Sequence, residues 1–173
     1  MKSLELFSGA GGLAKGLELS GFRHAKFVEF NKHAYKTLRE NFNPKVIFYG
    51  DVRDFRYESL GGIDIVAGGP PCQPFSLGGN HKGNNDDRDM FPYAINAIEE
   101  LAPKAFVFEN VKGLLRQSFS EYFEYIILRL SYPDILRKEN TDWKDHLAKL
   151  RSIEYLKYKS LKYKVSYKLI NSA

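Results

Sequence analysis

The sequence has few of the residues that build disulfides, membrane spans or export signals. Its 173 residues include one cysteine, which excludes an internal disulfide and any metal site made only of cysteines. No apolar run approaches the roughly 20 residues that cross a bilayer. The acidic Glu5 and the lack of a long apolar stretch at the N-terminus argue against a signal peptide. These absences predict a cytoplasmic or nucleoid-associated protein that uses neither a metal nor a membrane.

The net charge is balanced over most of the chain and basic at its end. Residues 1–131 contain 16 Lys/Arg and 16 Asp/Glu, whereas residues 132–173 contain 10 and 5. Because phosphate contacts dominate nucleic-acid affinity, a basic end suits a polyanionic partner. A solvated helix face would carry the same charges. Charge alone therefore leaves both interpretations open.

Short apolar runs alternate with helical patterns over the first 130 residues. The predicted strands are residues 4–7, 26–29, 46–49, 63–67 and 105–108, and the predicted helices end at residues 20, 40, 101 and 130. Strands that are apolar throughout and separated by helices indicate a parallel sheet that is covered on both faces. The predicted fold class is α/β, with a mostly parallel, doubly wound sheet. Ligands of such sheets bind at the carboxyl ends of the strands.

The C-terminal quarter of the chain is harder to interpret. Trp143, Leu147 and Leu150 have the spacing of one helix face, although residues 131–162 carry much of the charge. Apolar and polar side chains alternate from Tyr163 to Asn171, which predicts a strand. The chain stops two residues later, so this strand would remain unpaired and would invite completion by another polypeptide. We therefore expect a sheet that is incomplete at its C-terminal edge.

The first candidate site is a glycine-rich turn between the first strand and its helix, Phe7-Ser8-Gly9-Ala10-Gly11-Gly12-Leu13. Glycines at this place allow a tight turn and a close approach of a ligand to a helix N-terminus. Glu29 ends the second strand 20 residues after Gly9, where an acid typically binds ribose hydroxyls. Asp51, after the third strand, is a further candidate that could accept from an adenine amine. Taken singly, these features are also typical of a structural turn and of surface acids.

The second candidate site follows the fourth strand, at Gly68 to Ser76, GGPPCQPFS. Its glycines and prolines predict a rigid turn that holds Cys72 out toward a ligand, where a thiolate is a strong nucleophile. Glu109 and Asn110 close the fifth strand, and polar groups at that place are costly unless they bind something or cap a helix. An inert buried thiol and a capping asparagine remain the alternatives.

Together these sites resemble the DNA cytosine-5 methyltransferase family. The matching segments are LELFSGAGGL (Leu4 to Leu13), FVEFN (Phe27 to Asn31), GDV (Gly50 to Val52), GGPPCQPFS (Gly68 to Ser76) and FENVKGLL (Phe108 to Leu115). Asp87-Arg88 with Met90-Phe91 is similar to the segment before the family's next helix, and Tyr163 to Ala173 is similar to its strand before a Gln-x-Arg-x-Arg motif. The resemblance covers nearly the whole chain.

The resemblance implies a Rossmann-like, S-adenosylmethionine-dependent methyltransferase that acts on carbon 5 of a flipped cytosine in double-stranded DNA. It implies that Cys72 forms a covalent adduct at carbon 6, that Glu109 hydrogen-bonds the ring, and that Asn110 and Pro71 position the reacting groups. It also assigns cofactor contacts to Phe7, Gly9, Ala10, Gly12, Leu13, Glu29, Phe30, Asp51 and Val52.

The chain departs from the family pattern at its end. Residues 1–173 would form one catalytic, cofactor-binding domain, but the target-recognition region and the last conserved helix of the family are absent. We therefore expect weak cofactor binding alone, and a second polypeptide that completes a split bacterial or phage enzyme, such as a restriction-modification methyltransferase. A truncated product is the competing explanation. A tRNA cytosine-5 methyltransferase of the same family and a non-catalytic binding module are the alternative functions.

Overall fold

The computed structural model describes residues 1–71 and 89–171, which form two compact units. The first unit comprises residues 1–71 and 90–110, and the described part of the second comprises residues 89 and 111–171. Cys72 lies outside the described residues, as do Asp87 and Arg88. Within the described residues, no helix has the length and apolar character needed to cross a membrane.

A parallel five-stranded sheet organises the first unit. Its strands are β1 (Lys2–Leu6), β2 (Arg23–Glu29), β3 (Ile47–Tyr49), β4 (Ile65–Gly68) and β5 (Ala105–Phe108). Their spatial order is β3-β2-β1-β4-β5, and every neighbouring pair is parallel. The order reverses at β1, so the C-terminal ends of β1, β2 and β4 meet at the switch point where such sheets bind ligands. The α/β class with a mostly parallel sheet is thus confirmed.

Three helices connect these strands: α1 (Gly12–Leu19), α2 (Lys32–Asn41) and α3 (Phe91–Leu101). The side chain of Asn31 starts α2, because its Oδ1 accepts hydrogen bonds from the backbone N–H groups of His33, at 2.8 Å, and Ala34, at 3.1 Å. The bounds of α3 and β5 agree with the sequence pattern, and those of the other elements differ from it by a few residues.

The core of the first unit explains why these segments become regular structure. The side chains of Leu4 and Leu6, on the central strand β1, are completely buried. Apolar residues spaced along α1 and α2, such as Ala14, Leu17 and Leu38, are buried as well. Burying a side chain the size of leucine stabilises the fold by roughly 2 kcal/mol. The regular spacing of these buried residues therefore explains why the segments are helical and which side of each helix faces the core.

The second unit contains α4 (Ser120–Ser131) and α5 (Trp143–Arg151), which pack together through aromatic rings. The ring of Trp143 lies 5.6 Å from the rings of both Tyr122 and Tyr125. Leu147 and Leu150 are almost completely buried, as expected if they line one helix face. The spacing of Trp143, Leu147 and Leu150 therefore does mark a helix.

The prediction of a strand at Tyr163 to Asn171 is wrong. The described residues 163–171 form no strand and pair with none of the five strands. The segment is held instead by a bond from the Tyr163 backbone N–H to the Ser131 carbonyl, at 3.0 Å, and by an edge contact of Tyr167 with Phe123, at 4.8 Å. The alternation of apolar and polar residues indicates only which side chains could lie on the same face. A strand also needs a neighbouring strand with which its backbone can form hydrogen bonds.

The strand at one edge of the sheet is less buried than the central strands. In β5 the side chain of Val107 is 44% exposed and Ala105 is also exposed, whereas β1 and β4 are buried. Because β5 lies at the end of the described sheet, it has a neighbouring strand on one side only. A short apolar run thus predicted the strand but not its position in the sheet.

Candidate functional site

The glycine-rich turn that follows β1 has an unusual backbone. Phe7, Gly9 and Gly11 all have left-handed φ angles, of 52°, 55° and 92°. For Phe7, which is not glycine, this conformation costs about 1 kcal/mol or more and is typical of functional turns. The hydroxyl of Ser8 holds the turn by donating to the carbonyls of Glu5, at 2.8 Å, and Val28, at 3.3 Å.

The surface of this turn leaves room beside its backbone. A methyl group added at Gly9 or Gly12 would meet no atom within 4 Å among the described residues. At Gly11 the same addition would lie 2.5 Å from the Phe42 ring, so this glycine is required by packing. The N-terminus of α1, which begins at Gly12, receives no side-chain cap in the described residues. Its backbone N–H groups therefore face a place where a polar ligand group can bind.

Glu29 lies beside the turn, as its spacing from Gly9 suggested. One of its carboxylate oxygens accepts from the Gly9 backbone N–H and the other from the Asn31 backbone N–H, each at 2.6 Å. The residue is only 7% exposed, so the two bonds fix the carboxylate at the end of β2. Each oxygen keeps a second lone pair for another donor, such as a sugar hydroxyl.

The remaining residues of the first site differ in exposure. Phe30 follows Glu29 and is 71% exposed, so an aromatic ring stands in solvent next to a fixed carboxylate. Ala10 is also exposed. Leu13 packs against the apolar cluster of Leu17 and Ile65, so it contributes to the core as well as to the turn.

The third strand brings Asp51 and Val52 to the same edge of the sheet. Val52 is buried, and Asp51 caps the short 3-10 helix that begins there. The Asp51 carboxylate is also bound by the Arg53 side chain, with Nε at 2.9 Å from Oδ1 and Nη2 at 2.6 Å from Oδ2. These hydrogen bonds from Arg53 lower the pKa of Asp51, which keeps the carboxylate ionised near neutral pH.

The ends of β4 and β5 are tied to each other. The Glu109 backbone N–H donates to the Gly68 carbonyl at 3.0 Å. The Asn110 side-chain amide donates to the Pro70 carbonyl at 2.8 Å, and the Met90 backbone N–H donates to the Pro71 carbonyl at 3.2 Å. Pro70 is buried and Pro71 exposed. Asn110 therefore fixes the segment that leads directly to Cys72.

The Glu109 carboxylate lies close to this segment and is accessible. Glu109 is exposed, and its Oε2 would lie 3.6 Å from a methyl group added at Gly69. An acid thus stands next to the residues that precede the nucleophile candidate. Cys72 itself lies outside the described residues.

The structure brings the described residues of both predicted sites to one edge of the sheet, because all five parallel strands end there. It also shows three supporting residues that the sequence analysis did not select: Ser8, Asn31 and Arg53. A serine in the glycine-rich turn and an arginine two residues after Asp51 were visible signals for two of them. The backbone contact of Asn31 had no signal in the sequence.

Comparison with known proteins agrees with this architecture. The profile of the C-5 cytosine-specific DNA methylase family matches residues 1–133. The Type II methyltransferase M.NgoMIV of Neisseria gonorrhoeae is 48% identical over 124 residues, which are 72% of this chain and 40% of the relative. The Type II methyltransferase M.AquIA of a Picosynechococcus species is 34% identical over 99% of this chain and 65% of its own.

A solved structure shows the same fold. It belongs to a proposed DNA modification methyltransferase encoded within an Escherichia coli prophage, which is 30% identical with a TM-score of 0.62 and covers 73% of this chain and 36% of that one. The fold defines an α/β protein built on a parallel five-stranded sheet. The chain belongs to the C-5 cytosine-specific DNA methylase family. It spans between 30% and 65% of the length of these and similar Type II methyltransferases.

Proposed function

We propose that this chain is the catalytic, S-adenosylmethionine-binding part of a DNA cytosine-5 methyltransferase, and that a second polypeptide completes it. The observation that carries the proposal is the shared sheet edge. The fixed Glu29 carboxylate lies at the end of β2, the anchored approach to Cys72 follows β4, and the exposed Glu109 follows β5 of the same parallel sheet. The membership of the chain in the C-5 cytosine-specific DNA methylase family supports the same reaction.

The residues of the first site fit an adenosine-type cofactor. Glu29 would accept from the ribose hydroxyls, since both of its oxygens are oriented by backbone N–H groups. Phe30 would pack on the adenine, Asp51 and Val52 would contact its edge, and the open backbone of Gly9 and Gly12 would admit the amino-acid end. Phe7, Ala10 and Leu13 would shape the same turn. When bound, S-adenosylmethionine supplies an electrophilic methyl group.

The residues of the second site would prepare the cytosine. Carbon 5 of the ring is a poor nucleophile, so the Cys72 thiolate first forms a bond to carbon 6, and the electron pair of the double bond becomes available at carbon 5. Glu109 would hydrogen-bond N3 and the exocyclic amine, which stabilises the charge that develops on the ring. Methylation of carbon 5 would release S-adenosylhomocysteine. Transfer of the carbon 5 proton to water would then restore the carbon 5–carbon 6 double bond, break the sulfur–carbon bond and free the Cys72 thiolate.

Asn110 and Pro71 would hold the reacting groups in place in this reaction. The bond from the Asn110 amide to the Pro70 carbonyl fixes the residue before Pro71, and the bond from Met90 fixes Pro71 itself. A rigid approach reduces the entropy lost when the thiol meets carbon 6. The target base has to leave the duplex to reach this site, so the substrate is bound as flipped double-stranded DNA.

Transfer of labelled methyl from S-adenosylmethionine to unmethylated DNA tests the proposal. The assay is run with this chain alone and with the product of the next downstream reading frame, and 5-methylcytosine is identified in the digested DNA. Label in 5-methylcytosine only when both chains are present supports the proposal, including the second polypeptide. Transfer to tRNA instead of DNA would identify the tRNA branch of the family. No transfer to either would favour a binding module or a truncated product.

A further inference from the structure

Arg53 makes an unusually complete contact with Asp51. The Oδ1 of Asp51 accepts from both the backbone N–H and the Nε of Arg53, each at 2.9 Å, and Oδ2 accepts from Nη2 at 2.6 Å. Such a forked contact fixes the plane of a carboxylate as well as its position. The Arg53 side chain is 47% exposed and that of Asp51 19%, so the pair lies at the surface of the sheet edge and not in the core.

The contact leaves a defined acceptor on Asp51. A carboxylate offers about four lone pairs, two on each oxygen. Oδ1 uses both of its lone pairs on Arg53, whereas Oδ2 uses one. A ligand donor therefore finds one oriented acceptor position, on Oδ2. An amine can donate to that position, whereas a carbonyl oxygen is repelled by it.

We propose that Arg53 determines the base specificity of the cofactor site by holding Asp51 as an oriented acceptor for an exocyclic amine. The inference rests on the proposed function, in which Asp51 contacts the adenine edge. Arg53 is then a positioning residue: it acts through the carboxylate and need not touch the base. The adenine form of the ligand is selected over a form with a carbonyl group at the same ring position.

Calorimetric titration with S-adenosylhomocysteine and S-inosylhomocysteine tests this inference. The first ligand has an amine at that position and an acceptor at ring N1, and the second has a carbonyl and an N1–H group. Because the difference at N1 is the same for every variant, only the change in the affinity ratio between variants reports on Arg53. Arg53→Ala keeps the backbone N–H but removes the fork. We expect it to weaken the adenosyl ligand about tenfold and to leave the inosyl ligand nearly unchanged, since one oriented hydrogen bond to a charged group is lost. Arg53→Lys keeps the charge without the fork and should not restore the preference.

Arg56→Ala is the matched control. The Arg56 side chain donates to the backbone carbonyls of Arg53, at 3.2 Å, and Phe55, at 3.4 Å, and not to Asp51. This variant should keep the full preference for the adenosyl ligand. Thermal unfolding of each variant shows that the fold is retained, and the ratio of the two affinities is insensitive to a general loss of active protein.

The outcomes separate the inference from the proposed function. A preference for the adenosyl ligand that disappears in Arg53→Ala and Arg53→Lys supports both. A preference that persists unchanged in these two variants overturns the role of Arg53 and leaves the cofactor assignment intact. A wild-type chain that binds neither ligand at millimolar concentration when the completing polypeptide is present, or binds both equally, overturns the assignment of Asp51 and the inference with it.

Discussion

The buried carboxyl group of Glu5, which is not one of the proposed site residues, allows a quantitative prediction of how stability depends on pH. Glu5 lies near the C-terminal end of the central strand β1 and is 2% exposed, and its Oε1 lies 2.5 Å from His24 Nδ1. The Ser3 hydroxyl contacts both groups, at 3.2 Å from Oε1 and 3.0 Å from Nδ1. Burial raises the pKa of Glu5 from 4.5 to about 7 and lowers the pKa of His24.

The sign and size of the stability effect follow from these shifts. A raised pKa in the folded state means that the contribution of Glu5 is fully present below pH 4.5 and is lost as pH rises through about 7. At 1.36 kcal/mol per pH unit, the loss over this window is about 3 kcal/mol. His24 acts oppositely, because its lowered pKa removes stability as pH falls below its ordinary value of 6.5.

Glu5→Gln removes the titration but keeps a hydrogen-bond acceptor for His24. Between pH 5 and 9 the free energy of unfolding of the wild type should fall by about 3 kcal/mol relative to this variant. Urea unfolding followed by circular dichroism at several pH values gives the two curves. Gly16→Ala, which removes no titratable group and adds a methyl into open space, is the control and should run parallel to the wild type. Parallel curves for Glu5→Gln and wild type would refute the burial argument.

Three further predictions concern the sheet edge. In a urea titration, Gly68→Ala should lower the free energy of unfolding by about 1–3 kcal/mol, because the added methyl overlaps the Leu6 carbonyl oxygen. Gly16→Ala, where the methyl meets open space in α1, is the control and should be neutral or stabilising. Glu29→Gln should weaken S-adenosylhomocysteine at least tenfold in calorimetry, since one acceptor is lost, and unchanged affinity would contradict its role. Cys72→Ser should abolish methyl transfer while cofactor binding stays nearly intact, whereas loss of both would indicate a structural cysteine.

The sheet was largely predictable because each of its strands is a short apolar run that can be recognised from its own residues. Phe91 to Leu101 and Ala105 to Phe108 were bounded correctly, since each is a periodic or continuous apolar run between clear breaks. The site edge was predictable for a related reason: in a parallel sheet, polar residues that directly follow buried strands have to lie at one edge.

What sequence did not predict depends on partners far along the chain. The segment from Tyr163 alternates like a strand, yet strand formation requires a neighbour that no local pattern supplies. Exposure of Val107 follows from the position of β5 at the edge, which is a property of topology. The Arg53 fork differs from these cases because its partner is local. The sequence shows an arginine two residues after Asp51, but only the side-chain geometry distinguishes a two-bond contact from a surface ion pair that contributes little.

Trapping the covalent step tests the central claim most directly. A DNA duplex that carries 5-fluorocytosine is incubated with S-adenosylmethionine and with a preparation that methylates the ordinary duplex, and the digested protein is analysed by mass spectrometry. Fluorine on carbon 5 cannot leave as a proton, so the sulfur–carbon bond should persist. We predict a nucleotide adduct on the peptide that contains Cys72, carrying the transferred methyl. An active preparation with no adduct, or with an adduct on another residue, would contradict the proposed role of Cys72.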